Sequence, residues 1–259
     1  QAYRIAERLN VPVMVCYDSF LLSHTVMPVD IPSAEQIDAF LPPRTDPLQI
    51  VDAADPRNIG PVTIADPRAD ADGVVRPGYM EFRALHHGAL LEALEVIPEV
   101  DAEYAAAVGR SWGGLTWEYQ LADADVAVVA AGSLTTQLTL AVEALRAEGV
   151  RVGVLGIRSY RPFPAAEVRA RLAGKRLAVV FDKALSYGYG GPIATDLKAA
   201  LFTAETPPAV FGCICGLGGR DVSPENLADA TRSAIADLDA GVRDRTPVWI
   251  NLRPEGSAS

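Results

Sequence analysis

The 259 residues suffice for one large domain or two modest ones, and 49% hydrophobic against 22% charged residues is the balance of a water-soluble globular protein. A formal charge of −10, from 23 basic and 33 acidic residues, excludes an extended nucleic-acid surface, although a local basic cluster could hold a phosphorylated ligand. No apolar run reaches bilayer length, no secretory signal is visible, and three cysteines are too few for a disulfide framework or a thiolate-bound cluster within this chain; no membrane role and a reducing, cytoplasmic setting are expected.

The chain opens on Ala2 to Leu9, where Ile5 and Leu9 fall at helical spacing, and runs into Val11-Pro12-Val13-Met14-Val15-Cys16, which reads as a buried strand. A helix and a strand cannot form a core alone, so the sequence is expected to belong to a longer subunit or to be completed by another chain. Asp18 to Thr25 follows as a polar loop at a strand's carboxyl end, which makes Ser23 and His24 candidate site residues. The alternative is that Asp18 and Ser23 satisfy turn amides and His24 packs on a neighbour. Val26 to Ile31 reads as short and extended. Ser33 with Gln36 has capping-box spacing and opens a helix to Phe40.

From Leu41 to Pro77 the chain is rich in Pro, Asp and Arg and reads as a long irregular arm or crossover. Helical periodicity returns from Tyr79 to Val108, with Pro98 expected to break it into two helices. The adjacent His86 and His87 point to different faces and cannot together ligate a metal at the usual helical spacing. A domain boundary is placed near Gly113, dividing the chain into 1–113 and 114–259.

Beyond it, short wholly apolar runs alternate with amphipathic helices, the pattern of parallel strands buried on both faces. Strands are predicted near Val126–Ala131, Arg151–Ile157, Leu177–Phe181, Ala209–Ile214 and Val248–Leu252. Helices are predicted near Thr135–Ala147, Ala165–Leu172, Ile193–Phe202 and Pro224–Asp239, the last capped by Ser223 with Pro224 at its first position. The expectation is an α/β fold: a five-stranded, mostly parallel sheet covered by helices, preceded by the tail of a second α/β domain and a long irregular connection.

Ligands of open α/β sheets bind at the strands' carboxyl ends, so the loops there are the candidate sites. Gly132-Ser133 stands where a helix N-terminus favours an anion, with Ser133 as a plain N-cap the alternative. Arg158 and Arg161, in a loop stiffened by Pro162 and Pro164, suit a carboxylate or phosphate; the alternative is a salt bridge to Asp182. Asp182 with Gly188, Gly190 and Gly191, and Gly219 with Arg220, mark places where backbone can approach a ligand or another subunit closely. Cys213-Ile-Cys215 puts two sulfurs on one face of a strand, as small buried residues or, alternatively, in a redox or metal role. No nucleophile–base–acid order, metal-ligand spacing or carboxylate pair with an acid/base role is visible, so no catalytic residue is named.

Several separate stretches nevertheless agree with one family. GRSWGGLTWEYQLADADVAVVAAGSL, IRSYRPFP, FDKALSYGYGGPIATDLKAAL and GLGGRDVSPE resemble the α subunit of 2-oxoacid:ferredoxin oxidoreductases, the pyruvate synthase group. PVMVCYDSFLLSHTVMPVDIP and AFLPP resemble the tail of that subunit's thiamine-pyrimidine domain, and residues from about Gly114 onward its transketolase C-terminal-like domain. The resemblance implies oxidative decarboxylation of a 2-oxoacid on thiamine diphosphate with Mg, electron transfer to 4Fe-4S clusters, and delivery of the acyl group to coenzyme A. It implies that β (thiamine diphosphate-binding), γ and ferredoxin-like subunits hold the diphosphate and the clusters, and that ferredoxin or an NAD-linked carrier is the final acceptor. The family's thiamine-activating glutamate lies in an N-terminal part that this sequence does not contain. Ser23, His24, Arg158 and Arg161 are then expected to line the approach of substrate or coenzyme A. The alternatives are a transketolase-like or E1-type dehydrogenase component, against which the GYGGP and GLGGRD loops argue, and a non-catalytic assembly module.

Overall fold

The computed structural model describes residues 1–19, 21–43, 68–69, 73, 75–76 and 78–253. Most of the arm expected over Leu41 to Pro77 therefore lies outside the described residues. The chain forms two compact units, Gln1–Val15 with Val29–Trp112, and Cys16–Pro28 with Gly113–Ser259.

In the first unit, helix α1 (Ala2–Leu9) ends at Asn10 in the left-handed region, a conformation asparagine tolerates. Within the stretch Cys16–Pro28, one helical turn, α2, covers Leu21–His24. Back in the first unit, α3 (Ala34–Phe40) carries the capping box: the Gln36 amide donates to Ser33 Oγ and the Ser33 amide to Gln36 Oε1. A two-residue antiparallel ladder joins β1 (Arg68–Ala69) to β2 (Val75–Arg76). Helix α4 (Tyr79–Val108) then buries Ala93, Val96 and Val100 against Ile5, Leu9 and Phe40 of α1 and α3.

Two expectations fail in this unit. Pro98 does not divide α4, which runs unbroken through it. Proline costs the Leu94 carbonyl its intrahelical donor, but Val96 and Val100, on either side of Pro98, are buried in the unit's core and hold both halves in line. Val11 to Cys16 forms no strand, and Met14 and Val15 are 85% and 69% exposed. An apolar run becomes a strand only where another backbone pairs with it, and no described residue does so here.

The second unit is a three-layer α/β domain. Its strands are β3 (Thr116–Tyr119), β4 (Val126–Ala131), β5 (Val152–Ile157), β6 (Leu177–Asp182), β7 (Ala209–Ile214) and β8 (Val248–Trp249). They stand in the order β3-β5-β4-β6-β7-β8, with β3 antiparallel and the others parallel. The sheet thus gains a sixth strand over the expected five. β3 carries Glu118 in a run of only four residues, and as an edge strand it is buried at Thr116 alone, so it lacks the continuous apolar signature of its neighbours.

Alternate residues of the inner strands feed two cores. Val126, Val128, Val152, Val179 and Phe211 pack under α5 (Leu134–Ala147) and α8 (Pro224–Asp239). Ala127, Val129, Leu155, Val180 and Val210 pack under α6 (Ala165–Leu172) and α7 (Pro192–Leu201). The stripe of α5 lies on a fully buried face, with Leu138, Val142 and Leu145 each at 0% exposure. Each such side chain contributes about 1.5–3 kcal/mol. Ser223 closes a second capping box with Asn226 at the head of α8.

Candidate functional site at the carboxyl edge of the sheet

β4 lies between β5 and β6, and the helices that follow β4 and β6, α5 and α7, cover opposite faces of the sheet. The chain's path therefore reverses at this point, opening a crevice at the carboxyl ends of β4 and β6 where an open α/β sheet takes its ligand. What fills it is Asp18. Its carboxylate accepts from the Ser133 backbone N–H (3.1 Å) and from the Ser133 hydroxyl, and pairs with Lys183 Nζ at 3.5 Å. Ser133 opens α5 and Lys183 follows β6, so one carboxylate joins the loops of adjacent strands. Lys183 is held from a third side. Its carbon stem lies where a Cβ on Gly216, just past β7, would come within 3.1 Å of it.

A carboxylate at the head of a 14-residue helix gains on the order of 1 kcal/mol from the amide dipoles. Burial raises the Asp18 pKa, but the Ser133 hydroxyl, the Lys183 charge and the Ser133 amide together outweigh it and hold the group below the ordinary carboxylate value. Asp18's contribution is therefore present above the ordinary aspartate range and is lost as pH falls through its own lowered pKa.

Ser133 does not act as the plain cap, since its side chain makes no capping hydrogen bond. The anion at Gly132-Ser133 in this structure is the chain's own Asp18 carboxylate. Ser23 and His24 lie five and six residues beyond Asp18 on the α2 turn, with Ser23 Oγ and His24 Nδ1 2.9 Å apart.

Arg161 pairs with Asp196 of α7 (2.9 Å) rather than with Asp182, and its guanidinium lies 4.2 Å from the Tyr160 ring centre. Asp182 is wholly buried and otherwise committed. It accepts from the Ile193 and Ala194 amides at 3.0 and 3.1 Å, capping α7 where Pro192 has no N–H to give. Burial raises its pKa more than these two bonds lower it. Arg158 donates to the Gly114 carbonyl (3.0 Å), tying its loop to the start of the second unit.

Gly191 has a steric reason to be glycine. A Cβ there would lie 2.0 Å from Asp182 Oδ2, so the bare backbone is what lets the carboxylate reach the helix. Gly188 and Gly190 sit in a tight turn closed by the Ser186 N–H to Gly190 O bond (2.8 Å), which leaves Tyr187 and Tyr189 in solvent. Gly219 and Arg220 border an open depression of about 660 Å³ that Asn251 and Arg253 also line, and Arg220 donates to the Asn251 carbonyl.

Cys213 and Cys215 are buried on the α5–α8 side of the sheet, and burial pushes their thiols up to about 11 and about 12. Neither is a ready thiolate. Among the described residues no three His, Cys, Asp or Glu side chains gather as a metal site, and none of the helices is long and apolar enough to cross a membrane. A four-cysteine iron–sulfur cluster does not fit a chain with three cysteines.

A family model described as pyruvate:ferredoxin oxidoreductase core domain II matches residues 124–227, which span the inner sheet and the crevice loops. A second, described as pyruvate flavodoxin/ferredoxin oxidoreductase, thiamine diphosphate-binding, matches residues 1–97. The chain belongs to the 2-oxoacid:ferredoxin oxidoreductase family. It is 35% identical over 98% of its length to a pyruvate synthase subunit PorA of Methanothermobacter thermautotrophicus, and covers 61% of that protein. It is 36% identical over 98% of its length to the pyruvate synthase subunit PorA of Pyrococcus horikoshii, covering 62% of it. With the ketoisovalerate oxidoreductase subunit VorA of Pyrococcus abyssi the identity is 33% over 97% of this chain and 61% of the relative. The chain thus spans about three fifths of the length of the relatives it matches.

Proposed function

We propose that this chain is part of a subunit of a thiamine diphosphate-dependent oxidoreductase that converts a 2-oxoacid, pyruvate or similar, and coenzyme A to acyl-CoA and CO2. Loss of CO2 leaves two electrons on the acyl carbon, and they pass one at a time to iron–sulfur clusters on partner subunits. The observation that carries this reading is the match in order: two models of one oxidoreductase family cover residues 1–97 and 124–227, and identity is 33–36% over 97–98% of this chain with 2-oxoacid oxidoreductase subunits. The names of those relatives, pyruvate synthase and ketoisovalerate oxidoreductase, support a 2-oxoacid as the substrate class.

Thiamine diphosphate supplies the electron sink for decarboxylation. In this reading its metal and the 4Fe-4S clusters are held mainly by other chains, the β, γ and ferredoxin-like subunits, in a cytoplasmic complex whose electrons reach ferredoxin or an NAD-linked acceptor. The role of this chain's second unit is to scaffold that site. Its ligand crevice is filled by Asp18, and Asp182, which looked like a site residue, caps a helix. Ser23 and His24, with Arg158 and Arg161 in the neighbouring region of the chain's motifs, are candidates for lining the approach of substrate or coenzyme A; Gly132, Ser133, Gly188, Gly190, Gly191, Gly219 and Arg220 shape the loops that meet ligand or partner.

Purification of the whole subunit under anaerobic conditions tests this reading. Co-eluting iron–sulfur chains and a coenzyme A-dependent reduction of a one-electron dye by a 2-oxoacid are expected. A chain that purifies alone, with no such activity on addition of the other subunits, refutes it.

A further inference from the structure

The stretch Cys16–Pro28 interrupts the first unit in sequence and packs with the second. The apolar side chains described in it do not explain why it docks. Tyr17 is 70% exposed, Leu22 44%, Val26 99% and Met27 58%. What the structure does give it is Asp18, about 28% exposed, with polar contacts to two loops of the sheet. Those loops are prepared for a carboxylate. Gly132 takes a φ of +66° and turns the Ser133 amide outward at the head of α5, and a Cβ on Gly132 would already touch Asp18 Oδ2 at 3.5 Å. Gly216 clears the room in which the Lys183 stem lies. Three adjacent strands, β4, β6 and β7, thus contribute one element each to a socket for a single anion.

We propose that Asp18 is a positioning residue: its carboxylate fills the anion socket at the switch point of the sheet and by doing so fixes the Cys16–Pro28 segment, and with it the Ser23–His24 turn, to the second unit. In chemical terms the segment is a tethered ligand of the crevice. An untethered tetrahedral anion has the charge and acceptor oxygens to take its place once the tether is cut.

Hydrogen–deuterium exchange on the full chain reads this directly. In an Asp18→Ala variant, uptake across residues 17–27 is expected to quicken by about tenfold or more, the scale at which a lost charge-assisted hydrogen bond shows. Uptake in Val126–Ala131 and Leu177–Asp182 should stay as in the parent. Sulfate, added as the probe, should raise the melting temperature of the Asp18→Ala chain and leave the parent unmoved, because only the variant has the socket empty. Asp18→Asn, which keeps an acceptor for Ser133 but loses the charge facing Lys183, should fall between the two. If Asp18→Ala fails to fold, Lys183→Met serves instead, with a smaller rise in uptake over the same residues. Equal uptake over 17–27 in parent and variants, or an equal sulfate effect on both, overturns the proposal.

One arm rests on the function proposed above. In the assembled enzyme, Asp18→Ala should raise KM for the 2-oxoacid or coenzyme A more than it lowers kcat. Faster exchange with both KM values unchanged upholds the socket and removes only the Ser23–His24 turn from the substrate path, so the two failures are told apart.

Discussion

Two runs of this chain have nearly the same composition and opposite fates. Val126–Ala131 and its neighbours β5, β6 and β7 bury almost every side chain. Val11 to Cys16, just as apolar, lies open to solvent apart from half-covered Val11, without a single ladder bond among the described residues. The difference is not propensity, since valine dominates both. It is the supply of partners: β4 has a parallel strand on each side and a helix layer on each face, while residues 11–16 have no pairing strand among the described residues. Side-chain pattern states what a segment can become, and the neighbouring backbone decides whether it does.

The sharpest way to break that contrast is with thiols, because each region carries its own. Cys16 is exposed, whereas Cys213 and Cys215 are buried with their thiols raised to about 11 and about 12. At pH 8 a maleimide should label Cys16 at least about a thousandfold faster than the other two, which must wait for the sheet to open. Mass spectrometry of timed digests measures it. Prompt labelling of Cys213 or Cys215 would mean that β7 is not the buried interior strand described here.

The next effect is energetic. Leu138, on the inner face of α5, is fully buried, and Leu138→Ala should cost about 2–5 kcal/mol of unfolding free energy, for lost transfer energy plus the cavity left behind. Met14→Ala, at a site 85% exposed, should stay within about 0.5 kcal/mol. Urea midpoints at unchanged slope decide it. A large loss at Met14 would show that residues 11–16 are packed in solution after all.

Gly191→Ala comes third. The new methyl would displace the Asp182 carboxylate from the Ile193 and Ala194 amides, leaving α7 uncapped and a buried acid without its partners, at about 2–3 kcal/mol. The double variant with Asp182→Gly should cost little more than Asp182→Gly alone, since the methyl then meets neither the carboxylate nor the Asp182 Cβ that would otherwise lie 2.8 Å from it. Additive losses would place the glycine's role elsewhere.

Much of this architecture was legible in the sequence, because β4 to β7 and α5 to α8 are specified by local signals: unbroken apolar runs, a helical stripe, Ser223 before Pro224. β3 was not, since an edge strand with Glu118 at its centre has no continuous pattern to read. Nor was the course of α4 through Pro98, which depends on what Val96 and Val100 pack against. The candidate site was legible as a place but not as chemistry. The loops after β4 and β6 stood out, yet the anion between them comes from 115 residues before Ser133, and no spacing rule links the two. The alternative for the loop arginines, a salt bridge to Asp182, fails for Arg161 because β4 stands between β5 and β6, and Asp196 is the carboxylate it pairs with.

The smallest effect tests whether the two regions unfold together. The same capping box appears twice, at Ser33 on the seven-residue α3 and at Ser223 on the 16-residue α8. As local chemistry the two hydroxyls are equivalent, each accepting from the amide three residues on, and each worth about 1 kcal/mol. Their setting is not equivalent. α8 buries Leu227, Ala228, Thr231, Ala234 and Leu238, while α3 buries Phe40 alone. Ser223→Ala should therefore lower global stability by the full amount. Ser33→Ala should shift the global midpoint by less than about 0.5 kcal/mol and appear as faster amide exchange in residues 34–40, because a helix anchored by one side chain opens without the rest. Equal losses at the two serines would join α3 to the same cooperative unit as the sheet, and the contrast between a partnered and an unpartnered region would then stop at residue 31 rather than extend across the first unit.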